Sequence, residues 1–83
     1  MRAQIEFTLT DMFGGELNYS WVKRHELKTD KNLNNRQALK IARDHFGITG
    51  KIRQLGDYFD ETIYKLDHTN IALIITWRSL DES

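Results

Sequence analysis

Three histidines, one cluster of carboxylates and two runs of basic side chains are the residues best equipped for chemistry in this chain. His25, His45 and His68 do not have the close spacing that brings two imidazoles onto one metal ion. His45 falls among apolar residues and reads as a packed, hydrogen-bonded histidine; His25 continues a basic stretch and His68 lies in a turn. Asp57, Asp60 and Glu61 offer oxygen ligands for a hard cation, but they lack the spacing and central glycine of a calcium loop and read as an acidic turn. Paired carboxylates need a cleft to do acid–base work. Ser20 has no nucleophile context, and Gly14-Gly15 is not followed by a helix, as a phosphate loop requires. The expectation is a non-enzyme with no catalytic residue, metal or cofactor.

The basic residues are the stronger signal. Arg36, Lys40 and Arg43 recur at helical spacing, and Lys23, Arg24, Lys51 and Arg53 flank them in sequence. Such a stripe contacts phosphates or simply faces solvent. Tyr19-Ser20-Trp21-Val22-Lys23-Arg24 interleaves aromatic and basic side chains, which also suits a surface that stacks single-stranded bases. No helix-turn-helix, RRM or KH pattern is present. Formal net charge is zero, so the molecule has no overall field for nucleic acid. Residues 1–20 hold one Lys/Arg against three Asp/Glu, residues 21–53 nine against three, and residues 54–83 two against six. A basic middle between acidic ends is either charge complementarity within the fold or a basic contact surface.

The elements that position these residues follow from periodicity. Residues 2–10 alternate, with Ala3, Ile5, Phe7 and Leu9 on one side and Gln4, Glu6, Thr8 and Thr10 on the other, which predicts a half-buried strand. Residues 11–15 read as a hairpin connection through Gly14-Gly15. A returning strand over 16–27 places Leu17, Tyr19 and Trp21 in the core. That leaves Asn18 and Ser20, with the basic Lys23 and Arg24, as contact residues. Asn34 and Gln37 form a capping box that starts a helix running to Phe46, with Gly47 at its left-handed end. At about 100° per residue, Ala38, Leu39, Ile41, Ala42, His45 and Phe46 share one arc and Arg36, Lys40 and Arg43 the opposite one. Residues 51–55 read as a short strand near an edge, 56–60 as a turn or bulge, 61–66 as a strand and 67–70 as a turn. Residues 71–77, apolar on both faces, belong in the middle of a sheet. Residues 78–83 read as a polar tail.

The sum is an α+β fold, ββαβββ, with an antiparallel sheet of four or five strands and one helix packed on one face. At 83 residues the chain has too little material for a second core, so a single domain over 1–83 is expected. Without cysteine, packing alone must stabilise it, which is compatible with a reducing, cytoplasmic setting. The start lacks the apolar stretch of a signal peptide, and no run approaches the roughly 18 apolar residues of a membrane span. One helix leaves the second sheet face, including Val22 and Ile74, solvated or available to a partner or a second copy.

Over Gly14-Gly15-Glu16-Leu17-Asn18-Tyr19-Ser20-Trp21-Val22-Lys23-Arg24 the chain resembles a loose group of small phage- and prophage-encoded hypothetical proteins. The group shares an alternating N-terminal strand, a Gly-Gly-Glu-x-Asn-Tyr-x-Trp turn and strand, a central helix and a C-terminal meander. The resemblance carries over no catalytic residues. It implies a mobile-element accessory protein that binds a host or phage protein, and extends to inhibitors of host or defence factors of the anti-CRISPR kind. The expected function is therefore a protein-binding module using Arg36, Lys40, Arg43, Lys23, Arg24, Asn18 and Ser20, with homodimer formation open. The alternative is a small nucleic-acid-binding module that uses the basic helix face.

Overall fold

Hydrophobic alternation in the first strand and the double glycine after it set up a long hairpin at one edge of the sheet. The computed structural model describes residues 3–29, 33–58, 60–67 and 69–79. Its elements are β1 (Ala3–Phe13), β2 (Glu16–Thr29), α1 (Asn35–Phe46), β3 (Ile52–Tyr58), β4 (Glu61–Leu66) and β5 (Ile71–Ser79). They make an α+β fold in which five antiparallel strands lie in the order β2-β1-β5-β4-β3. The apolar run of β5 takes the central place, where both its faces are covered; Ala72, Leu73, Ile74 and Ile75 are all buried.

The registers assign the faces. Ile5, Phe7 and Leu9 of β1 stand opposite Trp77, Ile75 and Leu73 of β5. These residues, with Tyr64 of β4, Ala38 and Ala42 of α1 and Ile48 beyond it, form the core between helix and sheet. The two alanines are fully buried in this cluster, and Leu39, Ile41 and Phe46 pack against it. Both helix ends follow their local chemistry. Asn34 Oδ1 accepts from the Gln37 N–H at 2.8 Å, and Gln37 Oε1 accepts from the Asn34 N–H at 2.9 Å. Gly47 sits at φ +67°, and the N–H groups of Gly47 and Ile48 both donate to the Arg43 carbonyl.

Several boundaries differ from the periodicity. β1 continues through Asp11, Met12 and Phe13, so the connection shrinks to Gly14-Gly15, both with positive φ as a two-residue hairpin turn requires. β3 reaches Tyr58 because a bulge at Leu55, between the paired Gln54 and Gly56, bends the strand without ending it. β5 extends through Arg78 and Ser79, because β1 offers Gln4 and Ala3 as pairing partners. Residues 78 and 79 are therefore strand rather than tail. Residues 80–83 of the expected tail, and His68, lie outside the described residues.

Candidate functional site

The largest departure from alternation lies in β2. Thr10 pairs with Val22 and Met12 with Leu17, so Asp11 alone in β1 faces Asn18, Tyr19, Ser20 and Trp21. Three surplus residues cannot join the ladder, and a wide bulge forms around the Asp11 carboxylate. That carboxylate accepts from the Asn18 Nδ2 at 2.8 Å, the Ser20 N–H at 2.9 Å and the Ser20 hydroxyl at 2.6 Å. The Thr10 hydroxyl donates to the Trp21 carbonyl at 2.9 Å, pinning the far side of the bulge. Hydrogen bonds from the Ser20 hydroxyl, and then from the Asn18 amide, stabilise the ionised form and hold the Asp11 carboxyl down at about 2.

This bulge corrects the expected core positions. Tyr19 adopts φ +57°, the left-handed region that bulky residues avoid, and is 53% exposed; Trp21 is 39% exposed. Neither belongs to the core, because the surplus residues break the alternation that would have turned both inward. Asn18 and Ser20 are exposed, with the Asn18 Nδ2 and the Ser20 hydroxyl engaged by Asp11.

The expected basic site is divided as well. Lys23 and Arg24 are exposed, but as neighbours in a regular stretch they point to opposite faces, opposite Leu9 and Thr8 respectively. Arg36 is exposed on α1. Lys40 pairs with Asp44 at 3.3 Å in a solvated i,i+4 contact, and Arg43 Nη2 donates to the Gly50 carbonyl at 2.7 Å. The helix stripe therefore exists, but Arg43 serves the α1–β3 connection. His25 and His45 stack at 3.7 Å between ring centroids, with Phe7 beyond His25 and Phe46 edge-on to His45. His45 is thus exposed and held by ring packing rather than by a hydrogen bond among the described residues. Asp57 accepts from the Thr62 hydroxyl at 3.1 Å, and no three His, Asp or Glu groups among the described residues converge as a metal site.

On the sheet face opposite α1, the registers place Thr8, Thr10 and Met12 of β1 beside Ile74 and Ala72 of β5, then Ile63 and Lys65 of β4, then Gly56 and Arg53 of β3. Val22 and Ile74 do share this face, yet Ile74 is buried and Val22 exposed. A recess of about 480 Å³ is lined by Met12, Phe13 and the Gly14-Gly15 turn from one side and by Arg53 and Leu55 from the other, with Lys65 between. A second of about 460 Å³ adjoins it and is lined by Met12, Leu17, Leu55, Tyr58 and Ile63. In a flat sheet β1 and β3 would stand about 14 Å apart, at three spacings of about 4.8 Å. Side chains of Met12, Phe13, Arg53 and Leu55, with Lys65, reach across that span to line the recess.

The groove is apolar and open. Phe13 is 79% and Tyr58 62% exposed at its rims. Tyr58 lies across Gly56, where a Cβ would come within 2.9 Å of the ring, so the missing side chain makes room for the ring at the groove wall. Arg53 and Lys65 supply the cations at one end. Periodicity missed Phe13, Leu55 and Tyr58 because it placed Phe13 in a hairpin connection, Tyr58 in a turn or bulge and Leu55 in a short edge strand. The sequence signal was a large aromatic residue inside each of two segments otherwise read as connections. Among the described residues, no helix is long and apolar enough to cross a membrane. No family model, curated protein or solved structure matches the chain.

Proposed function

We propose that the protein is a non-enzymatic binding module that works by protein–protein contact through the groove opposite α1. The observation that carries this reading is the exposure of Phe13 and Tyr58, each at the rim of one of two adjoining recesses that share Met12, Gly15 and Leu55. Large aromatic side chains on a concave, partly charged surface are the usual anchors of a protein interface. Arg53 and Lys65 beside apolar Met12 and Leu55 favour a partner segment that combines an apolar side chain with a carboxylate. The resemblance over residues 14–24 supports a phage or mobile-element accessory role, with a host or defence protein as the partner and inhibition as the effect.

The test compares wild type with Phe13→Ser/Tyr58→Ser in affinity capture from bacterial lysate. Both side chains are mostly in water, so the double variant keeps its unfolding transition. Loss of a captured partner with stability unchanged supports the reading, and identical capture by both proteins refutes it. Nucleic-acid binding through Arg36, Lys40 and Arg43 has weaker support, since Lys40 already pairs with Asp44 and Arg43 with Gly50. Retardation of DNA or RNA that weakens steeply with salt would revive it.

A further inference from the structure

We infer that the outer edge of β2 accepts an acidic, extended protein segment as a sixth strand. This rests on the reading of the chain as a protein-binding module but uses a different surface from the groove. β2 is the longer of the two edge strands, and beyond its bulge it runs in unbroken register from Val22 to Thr29 against Thr10 to Ala3. The other edge, β3, has seven residues and is interrupted at Leu55. Among the described residues no strand covers β2, so every second residue of a regular stretch turns its N–H and C=O outward.

The side chains define what fits. Lys23, Arg24 and Lys28 are exposed, and none has an ion-pair partner among the described residues; Glu26 is the one acid of the stretch. A second copy pairing edge to edge would bring three bases and one acid against three bases and one acid, and like charges across strands are unfavourable. The charges that turn away a second copy favour a strand carrying acids. Arg24 and Lys28 lie on the groove face, opposite Thr8 and Gln4, whereas Lys23 and Leu27 lie on the helix face, opposite Leu9 and Ile5. An antiparallel segment that fits therefore reads acidic, apolar, any, any, acidic, acidic, running from the residue opposite Lys28 to the one opposite Lys23.

The test titrates the full chain with a capped octapeptide of glutamate at its second, sixth and seventh positions, valine at its third and threonine elsewhere. A peptide with lysines in place of the glutamates is the control. The inference expects the acidic peptide to bind and to slow amide exchange along Val22 to Thr29. It also expects Lys23→Glu/Arg24→Glu/Lys28→Glu to weaken that binding by about tenfold or more and to prefer the lysine peptide. No binding, equal binding of both peptides, protection centred on Phe13 and Tyr58 instead of β2, or self-association through β2 would each overturn it. If the peptide fails while the groove variant still loses its lysate partner, this inference falls and the binding-module reading stands. If the peptide binds while the groove variant captures as wild type does, the groove reading falls and the edge site stands.

Discussion

Replacing Tyr19 with asparagine should leave a more stable protein than replacing it with valine, the reverse of what a regular strand would give. Tyr19 holds φ +57° at the crest of the bulge around Asp11 and is 53% exposed. Both substitutions remove the same ring, so its lost contacts largely cancel when the two variants are compared. What remains is the backbone. Asparagine enters the left-handed region readily, whereas a β-branched residue pays about 1–2 kcal/mol there. In a regular strand valine would instead be favoured, on a scale spanning about 1 kcal/mol. The two arrangements thus differ by about 2–3 kcal/mol in the Asn–Val comparison, and they differ in sign. For a domain with about 4–12 kcal/mol in total, that is a large fraction. Urea unfolding followed by circular dichroism reads it directly. With a slope of about 1 kcal/mol/M, the asparagine variant should unfold about 1–2 M later than the valine variant. A valine variant as stable as the asparagine one would refute the bulge, and with it the explanation of why Tyr19 and Trp21 lie outside the core.

Phe7→Ala should cost about 3–5 kcal/mol and leave much of the population unfolded, measured in the same urea experiment, because Phe7 is fully buried between α1 and the sheet. Asn34→Ala should cost about 1 kcal/mol, while Asn34→Asp retains most of the stability, since only the second keeps an oxygen for the Gln37 N–H. The Asp11 carboxyl titrates lower in the folded chain than its ordinary 3.8, so its stabilising effect is complete above about pH 4 and is lost as pH falls toward 2. Asp11→Asn should therefore flatten the dependence of the urea midpoint on pH in that window, and an unchanged slope would show that the carboxylate does not hold the bulge.

The sequence made most of the fold legible because most of its determinants are local. The capping box at Asn34 and Gln37, the left-handed Gly47 and the two-faced apolar run of β5 each act through neighbours a few residues away. The hairpin shows the limit. Alternation assumes that every residue of β2 has a ladder partner in β1, and at Asp11 a side chain takes the place of the ladder. One carboxylate with three donors satisfies polar groups that would otherwise need a strand opposite them. Nothing in the period of the residues marks that exchange. Asp11, Asn18 and Ser20 look like separate loop and strand-face residues until the chain has turned at Gly14-Gly15 and set them beside one another.

The candidate surfaces were hidden for the same reason, at longer range. Phe13 and Tyr58 lie 45 positions apart in the chain and become rims of adjoining recesses only once the strand order and the two register shifts bring their strands onto one face. The bulge around Asp11 also marks where β2 stops offering a regular edge, so the same polar cluster bounds both candidate surfaces. Residues 14–21 therefore matter less as a row of contact side chains than as the device that shapes the surfaces on either side. Asn18 and Ser20 act through Asp11, the groove takes its apolar rim from Phe13 just before the turn, and the basic edge begins at Val22 just after the bulge. If Asp11 shapes both, Asp11→Ala should disturb capture at the groove and peptide addition at β2 together, whereas Phe13→Ser/Tyr58→Ser should disturb only the first.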